Sequence, residues 1–133
     1  MQKARGTARP GGLRVLIVED EYFIAEDIAR AAAALGGEVV GPAPDIAMGL
    51  ELLDSGTEID VAVLDINLRG HEVFELADKL MSRDIPFVFA TGYDAGAIPE
   101  RFRLTPLWEK PFDAAELAAA LTMIDAARQT VAP

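Results

Sequence analysis

Residues 61–65 read VAVLD, an unbroken apolar run that ends in an acid. Two other runs have the same character, VLIV at 15–18 and FVFA at 87–90. A strand with one solvent face alternates polar and apolar residues, whereas these runs do not alternate. They therefore predict strands that are buried on both faces, which is typical of parallel sheets.

Two shorter and more polar runs, at 38–40 and 107–108, raise the number of predicted strands to five. Pro106 precedes the last run, which suits an edge strand because proline cannot donate to a sheet ladder. Helical patterns lie between the runs. This alternation predicts an α/β fold, a doubly wound (βα)5 unit with a five-stranded parallel sheet.

The helices are placed by their apolar stripes and their caps. The stripes are Ile24, Ile28, Ala31 and Leu35 in the first helix, and Leu117, Leu121 and Ile124 in the last. Asp45 is the predicted N-cap of the second helix, which ends near Ser55. Asp113 is the predicted N-cap of the last helix, and the third helix is predicted at 72–82.

The fourth helix is the exception in this regular alternation. It belongs between Gly92 and Arg103, but Gly92, Gly96 and Pro99 interrupt any long helical pattern there. We therefore expect a short or irregular fourth helix, either a single turn or a mobile loop.

Composition excludes several classes of protein. The 133 residues suit one domain, which we place at 13–128 after a disordered segment at 1–12 and before a tail at 129–133. The absence of cysteine rules out disulfides and thiolate metal sites. The net charge of −10 argues against direct nucleic-acid binding. No apolar run has the length of a membrane span, so we expect a cytoplasmic protein that does not bind membranes.

Polar side chains follow the predicted strands, and these residues are the candidates for chemistry. They are Glu19, Asp20 and Glu21 after the first strand, Asp65 after the third, Thr91 after the fourth and Lys110 after the fifth. Since parallel sheets place their sites at the carboxyl ends of the strands, we expect these side chains to converge. None of them is informative alone; an acid at a strand end often only caps the next helix.

The expected crowding of Glu19, Asp20 and Asp65 has an electrostatic consequence. Like charges about 4 Å apart repel by several kcal/mol at an effective dielectric constant of about 20. A proton or a cation must relieve that repulsion. Carboxylate-rich, all-oxygen sites suit Mg²⁺, and Lys110 adds further positive charge.

The chain resembles the response-regulator receivers, from about Leu13 to Ala127. The matching segments are Val18 to Glu21, Val63 to Leu68, Ala90 to Gly92 and Glu109 to Phe112. The resemblance implies the strand order 2-1-3-4-5 and a place in a two-component phosphorelay. It also implies a histidine kinase or phosphotransfer protein as partner, and a monomer or weak dimer rather than an enzyme with a separate substrate.

The same resemblance implies a role for each residue of the constellation. Asp65 would be the phosphoacceptor. Asp20 and Asp65 would ligate Mg²⁺ together with the backbone carbonyl of Asn67, and Glu19 would act mainly through a metal-bound water. The two residues expected to contact oxygens of the phosphoryl group are Thr91 and Lys110.

The chain departs from the common receiver pattern near its fourth and fifth strands. Leu107 stands where most receivers have the switch aromatic, and strand alternation turns Trp108 to the opposite side. The segment Phe89 to Tyr93 resembles a receiver subgroup marked by a Phe-Ala-Thr-Gly-Tyr motif, which is associated with kinases of the HWE or related classes. Our hypothesis is that Tyr93 and the following loop replace the usual switch, with Gly92 leaving room beside the phosphoacceptor.

Three alternatives stay open at this point. An aspartyl-phosphate phosphatase of the haloacid-dehalogenase kind would need an acid two residues after the nucleophile, where this chain has Asn67. A flavodoxin-like cofactor binder would need a phosphate loop after the first strand, where the acids from Glu19 to Glu21 would repel phosphate. Finally, the chain could be a receiver domain from a larger regulator or hybrid kinase.

Overall fold

The sheet and its helices follow the predicted alternation in a computed structural model that describes residues 12–68, 73–92 and 98–131. The strands are β1 Arg14–Val18, β2 Glu38–Ala43, β3 Val61–Asp65, β4 Phe87–Thr91 and β5 Leu107–Glu109. The α-helices are α1 Tyr22–Ala34, α2 Ile46–Asp54, α3 Val73–Ser82 and α4 Ala114–Val131, and a 3₁₀-helix spans Glu100–Phe102. The last helix thus continues beyond residue 128, where we placed the end of the domain.

The five strands form one parallel sheet in the order β2-β1-β3-β4-β5, which confirms the predicted fold class and strand order. The register brings the ends of the central strands level with one another. Asp65 at the end of β3 pairs with Ala90, one residue before the end of β4. Thr91 in turn pairs with Glu109 at the end of β5. One edge of the sheet therefore collects the residues that follow each strand.

Each face of the sheet carries its own apolar core, as the unbroken runs predict. Leu64 and Phe89 point into the core beneath α2 and α3. Val63 and Val88 point into the opposite core, which α1 and α4 cover. Leu107 joins the first core and Trp108 the second, so the two residues face opposite sides as predicted.

The predicted caps of α2 and α4 are confirmed. Asp45 Oδ1 accepts a hydrogen bond of 2.8 Å from the Met48 amide. Asp113 Oδ1 accepts one of 2.8 Å from Ala115 and a longer one from Glu116. These bonds satisfy amides that have no partner inside a helix.

The apolar stripe predicted for α1 is wrong in part. The buried residues of α1 are Ala25, Ile28 and Ala32. Ala31 is only partly buried, and Leu35 lies exposed after the end of the helix. The helix thus turns two alanines and Ile28 toward the core, and it contacts the sheet and α4.

The short fourth helix is confirmed in the part of this segment that the structure describes, residues 98–103, where one 3₁₀ turn is present. Phe102 is buried and lies edge-on to Phe89, with ring centroids 5.5 Å apart. Arg101 forms two hydrogen bonds of 2.8 and 2.9 Å with Asp78 of α3. The turn is therefore anchored on α3.

Across the described residues, no helix combines the length and apolar character that crossing a membrane requires.

Candidate functional site

The residues predicted to converge meet at the carboxyl edge of the sheet. Backbone hydrogen bonds hold the segments that leave the strands. The Glu19 amide donates to the carbonyl of Ala43 at 2.9 Å, and the Lys110 amide donates to that of Thr91 at 2.8 Å. The strand ends thus fix the starting points of four separate polar segments, and three of them deliver acidic or cationic side chains to one place.

Lys110 lies at the centre of this site. Its Nζ is 3.1 Å from both carboxylate oxygens of Glu19 and 3.2 Å from Asp65 Oδ2. A longer contact of 3.7 Å joins it to Glu21, which is largely exposed. The side chains of Glu19 and Asp65 are buried, and that of Lys110 is only 9% exposed. This is a desolvated ionic network, in which charges interact more strongly than at a surface.

Negative charge exceeds positive charge in the network, and the pKa values show it. Burial, with help from the nearby charge of Asp65, raises the pKa of Glu19 to about 7. Burial and the interaction with Asp65 also raise the pKa of Asp20. Burial alone would lower the pKa of Lys110, but the charges of Asp65 and Glu19 outweigh it and raise that pKa. The site therefore favours an additional proton or cation.

The donor set fits a hard divalent cation. Carboxylate oxygens of Glu19, Asp20 and Glu21 lie within 4.8 Å of one another. The charge of Asp65 acts on both Glu19 and Asp20, so this carboxylate borders the group. Oxygen-only, carboxylate-rich surroundings are those that Mg²⁺ prefers. Glu21 was not among the predicted ligands; it is the N-cap residue of α1, but its side chain makes no capping hydrogen bond.

Asn67 connects the end of β3 to the end of β4, a connection that the sequence analysis missed. Its amide donates to Asp65 Oδ1 at 2.8 Å. Its side-chain Oδ1 accepts from the Thr91 hydroxyl at 3.1 Å and from the Gly92 amide at 2.6 Å. Only its backbone carbonyl had been assigned a role, as a metal ligand, and that role stays a prediction.

The predicted switch residues have different outcomes. Tyr93 lies among residues 93–97, outside the described part of the chain. A Cβ added to Gly92 would meet Asn67 Oδ1 at 3.6 Å, which is an ordinary contact. Within the described residues, therefore, packing against the protein does not demand glycine at position 92. Its proposed benefit, room for an incoming group, stays a prediction.

Comparison with known proteins gives the site its context. No protein-family model matches the chain. The transcriptional regulatory protein PdtaR of Mycobacterium tuberculosis is 30% identical over 114 residues, which are 83% of this chain and 55% of PdtaR. The chain spans about half the length of the curated relatives that it matches.

The solved structures decide the family. A response regulator receiver protein of Sinorhizobium medicae superposes with a TM-score of 0.71 at 25% identity, covering 88% of this chain and 97% of its own. The solution structure of SdrG from Sphingomonas melonis has a TM-score of 0.72 at 41% identity, covering 84% and 95%. The chain belongs to the response-regulator receiver domains. This receiver domain is thus a component of two-component signalling.

Proposed function

We propose that the receiver accepts a phosphoryl group on Asp65 from a phosphohistidine of a histidine kinase or phosphotransfer protein. The observation that carries this proposal is the setting of Asp65. Its carboxylate is buried at the end of β3, with Oδ2 3.2 Å from the Lys110 ammonium. Two further acids, Glu19 and Asp20, crowd the same place, which opposes folding unless a cation or proton is gained. Because this crowding of acids does not stabilise the fold by itself, we infer that it has a functional role.

The transfer requires in-line attack and neutralisation of spread negative charge. An oxygen of Asp65 forms a bond to phosphorus while the phosphorus–nitrogen bond of the donor breaks. The electron pair of that bond returns to the imidazole ring, and an acyl phosphate remains on Asp65. Lys110, already beside Asp65, pairs with one phosphoryl oxygen as a point charge. The Thr91 hydroxyl donates to another.

The carboxylates of Glu19, Asp20 and Asp65 would hold Mg²⁺, with the backbone carbonyl of Asn67 as the further predicted ligand. When bound, the metal supplies positive charge that neutralises the phosphoryl oxygens. The crowded oxygens of the acidic group and the raised pKa of Glu19 both support a cation at this place. Hydrolysis of the acyl phosphate by water returns Asp65 to its starting form, so the receiver is a switch and not an enzyme with a separate substrate.

We infer that the phosphodonor docks against the start of α1. Tyr22 and Phe23 are 69% and 79% exposed, and their rings lie edge to face with centroids 5.5 Å apart. Exposed aromatic pairs are frequent anchors of protein interfaces. They follow Glu21 directly and so border the acidic site. Ile28, one of the next residues along α1, is fully buried and lies outside this surface. The HWE class of the kinase stays a prediction.

A small-molecule phosphodonor tests the function without the unknown kinase. We expect acetyl phosphate and Mg²⁺ to add one phosphoryl group to the intact protein, as detected by mass spectrometry. Asp65→Asn and chelation of the metal should each prevent the addition. Asp60→Asn is the matched control, because Asp60 is also a buried acid but lies before β3, at the other end of the sheet. An addition of equal yield in Asp65→Asn would contradict the proposal.

A further inference from the structure

We propose that the side chain of Asn67 is a latch that keeps the Thr91 hydroxyl engaged while Asp65 is unmodified. Asn67 Oδ1 accepts hydrogen bonds from the Thr91 hydroxyl at 3.1 Å and from the Gly92 amide at 2.6 Å. A backbone amide can only donate, so the Asn67 atom that faces Gly92 must be its oxygen. The Thr91 hydroxyl, facing the same oxygen, must then be a donor as well.

The latch follows from the single proton of a hydroxyl group. Thr91 cannot donate to Asn67 and to a phosphoryl oxygen at the same time. If Thr91 acts on the phosphoryl group, as the proposed function requires, its bond to Asn67 must break first. Asn67 therefore competes with the phosphoryl group for this donor, and it holds the Gly92 amide by the same atom. The inference rests on the proposed function in this respect.

The position of Asn67 allows its side chain to rotate away from Thr91. Its backbone amide is tied to Asp65 Oδ1 at 2.8 Å, so the residue lies beside the phosphoacceptor. Its side chain is exposed, whereas Thr91 is buried. The Asn67 side chain can thus turn into solvent without disturbing the core. When it does so, the buried Thr91 hydroxyl needs a new acceptor. In this account Asn67 is a positioning residue that acts through Thr91.

Binding of beryllofluoride, a phosphoryl mimic, measures the competition. In saturating Mg²⁺ we expect Asn67→Ala to bind it on the order of 2- to 10-fold more tightly than the wild type, since one modest hydrogen bond no longer has to be broken. Equal or weaker binding by Asn67→Ala would overturn the latch. Absence of binding by the wild type would instead overturn the proposed function, so the two failures are distinguishable.

A double-mutant cycle separates the latch from a general structural effect. Thr91→Val keeps the shape of the side chain but has no hydroxyl to release. We expect the gain from Asn67→Ala to shrink in the Thr91→Val background. A gain of the same size in both backgrounds would overturn the proposal.

The Gly92 amide gives an independent spectroscopic signal. Its proton resonance should lie downfield in the free wild type because of the short bond to Asn67, and should move upfield in free Asn67→Ala. An unchanged resonance in folded Asn67→Ala would overturn the assignment of the bond. Should Asn67→Ala fail to fold, Asn67→Ser, which also lacks the amide oxygen, serves for the same titration and the same cycle.

Discussion

The two ends of the sheet hold similar sets of charged side chains but differ in how far these side chains are exposed to solvent. At the amino end of the strands, Arg14 lies within 4.0 Å of three acids, Glu38, Glu58 and Asp60. At the carboxyl end, Lys110 lies within 3.7 Å of three acids, Glu19, Glu21 and Asp65. Each cluster joins one cation to three carboxylates, so the number of charges does not distinguish a site of chemistry from a structural one.

Burial distinguishes them. The side chains of Glu38 and Glu58 are 55% and 75% exposed, and water solvates their charge. Asp60 is the one buried acid of these three, and it accepts a hydrogen bond of 2.8 Å from the Arg14 amide. At the other end, Glu19 and Asp65 are 1% and 0% exposed, and burial raises the pKa of Glu19 to about 7. The carboxyl end therefore has a negative charge that neither water nor Lys110 fully balances.

Replacing the two cations gives the largest expected contrast between the ends. We expect Lys110→Met to slow phosphorylation by acetyl phosphate on the order of 100-fold, because a charge aimed at the transferred group is lost. Arg14→Gln should leave the rate unchanged. Rates from mass-spectrometric time courses in saturating Mg²⁺ compare the two variants. Similar rates for both would show that the contrast between the ends is wrong.

The stability of the metal-free protein should depend on pH through Glu19. Its pKa rises from 4.5 to about 7 on folding, so the folded state binds the proton more tightly. This contribution to stability is complete below pH 4.5 and is lost as the pH rises through about 7. We expect a loss of roughly 2 to 3 kcal/mol, measured as the difference between wild type and Glu19→Gln in urea unfolding at several pH values.

The control for that pH series is Glu58→Gln at the amino end. Its side chain is mostly exposed, so the substitution should leave the pH dependence of the unfolding free energy as in the wild type. If Glu19→Gln and Glu58→Gln have the same effect on that dependence, the buried charge at the carboxyl end is not its source.

Magnesium should stabilise the folded protein through the carboxyl end alone. We expect a gain of about 1.4 kcal/mol when free Mg²⁺ is roughly ten times its Kd. Asp20→Asn should reduce the gain, whereas Glu38→Gln should keep it. Thermal unfolding at a series of Mg²⁺ concentrations measures the effect, and a gain that survives Asp20→Asn in full would argue against the site as described.

The smallest effect is expected from the amino-end cluster itself. Arg14→Gln should lower the unfolding free energy by about 1 kcal/mol or less, because two of its three acidic partners are largely exposed. The loss should be similar with and without Mg²⁺. A much larger loss in urea unfolding would mean that the amino-end cluster holds the sheet together more than its solvent exposure suggests.

The sequence predicted most of the fold and the position of the site because both depend on local patterns. Unbroken apolar runs identified the doubly covered strands, and the residues directly after them identified the carboxyl edge. Parallel topology then placed Asp65 and Lys110 together without knowledge of any distance. The same reasoning gave the caps Asp45 and Asp113, which depend only on neighbours in the chain.

What the sequence did not predict depends on contacts between distant segments. The bond between Asn67 and Thr91 joins residues 24 positions apart, and an asparagine after a strand is equally typical of a turn. The pair Arg101 and Asp78 joins the 3₁₀ turn to α3 in the same way. The stripe of α1 was misplaced in part because the helix ends at Ala34, so that Leu35 follows it and lies exposed, and because Ala32 rather than Ala31 faces the core.

The most direct test of the central claim identifies the modified residue itself. Borohydride reduces an acyl phosphate of aspartate to homoserine, so treatment after incubation with acetyl phosphate and Mg²⁺ marks the phosphoacceptor for peptide sequencing. We predict homoserine at position 65 and none at position 60, the buried acid at the opposite end of the sheet. Homoserine at any other aspartate position, or a phosphorylated protein without homoserine at position 65, would contradict this account.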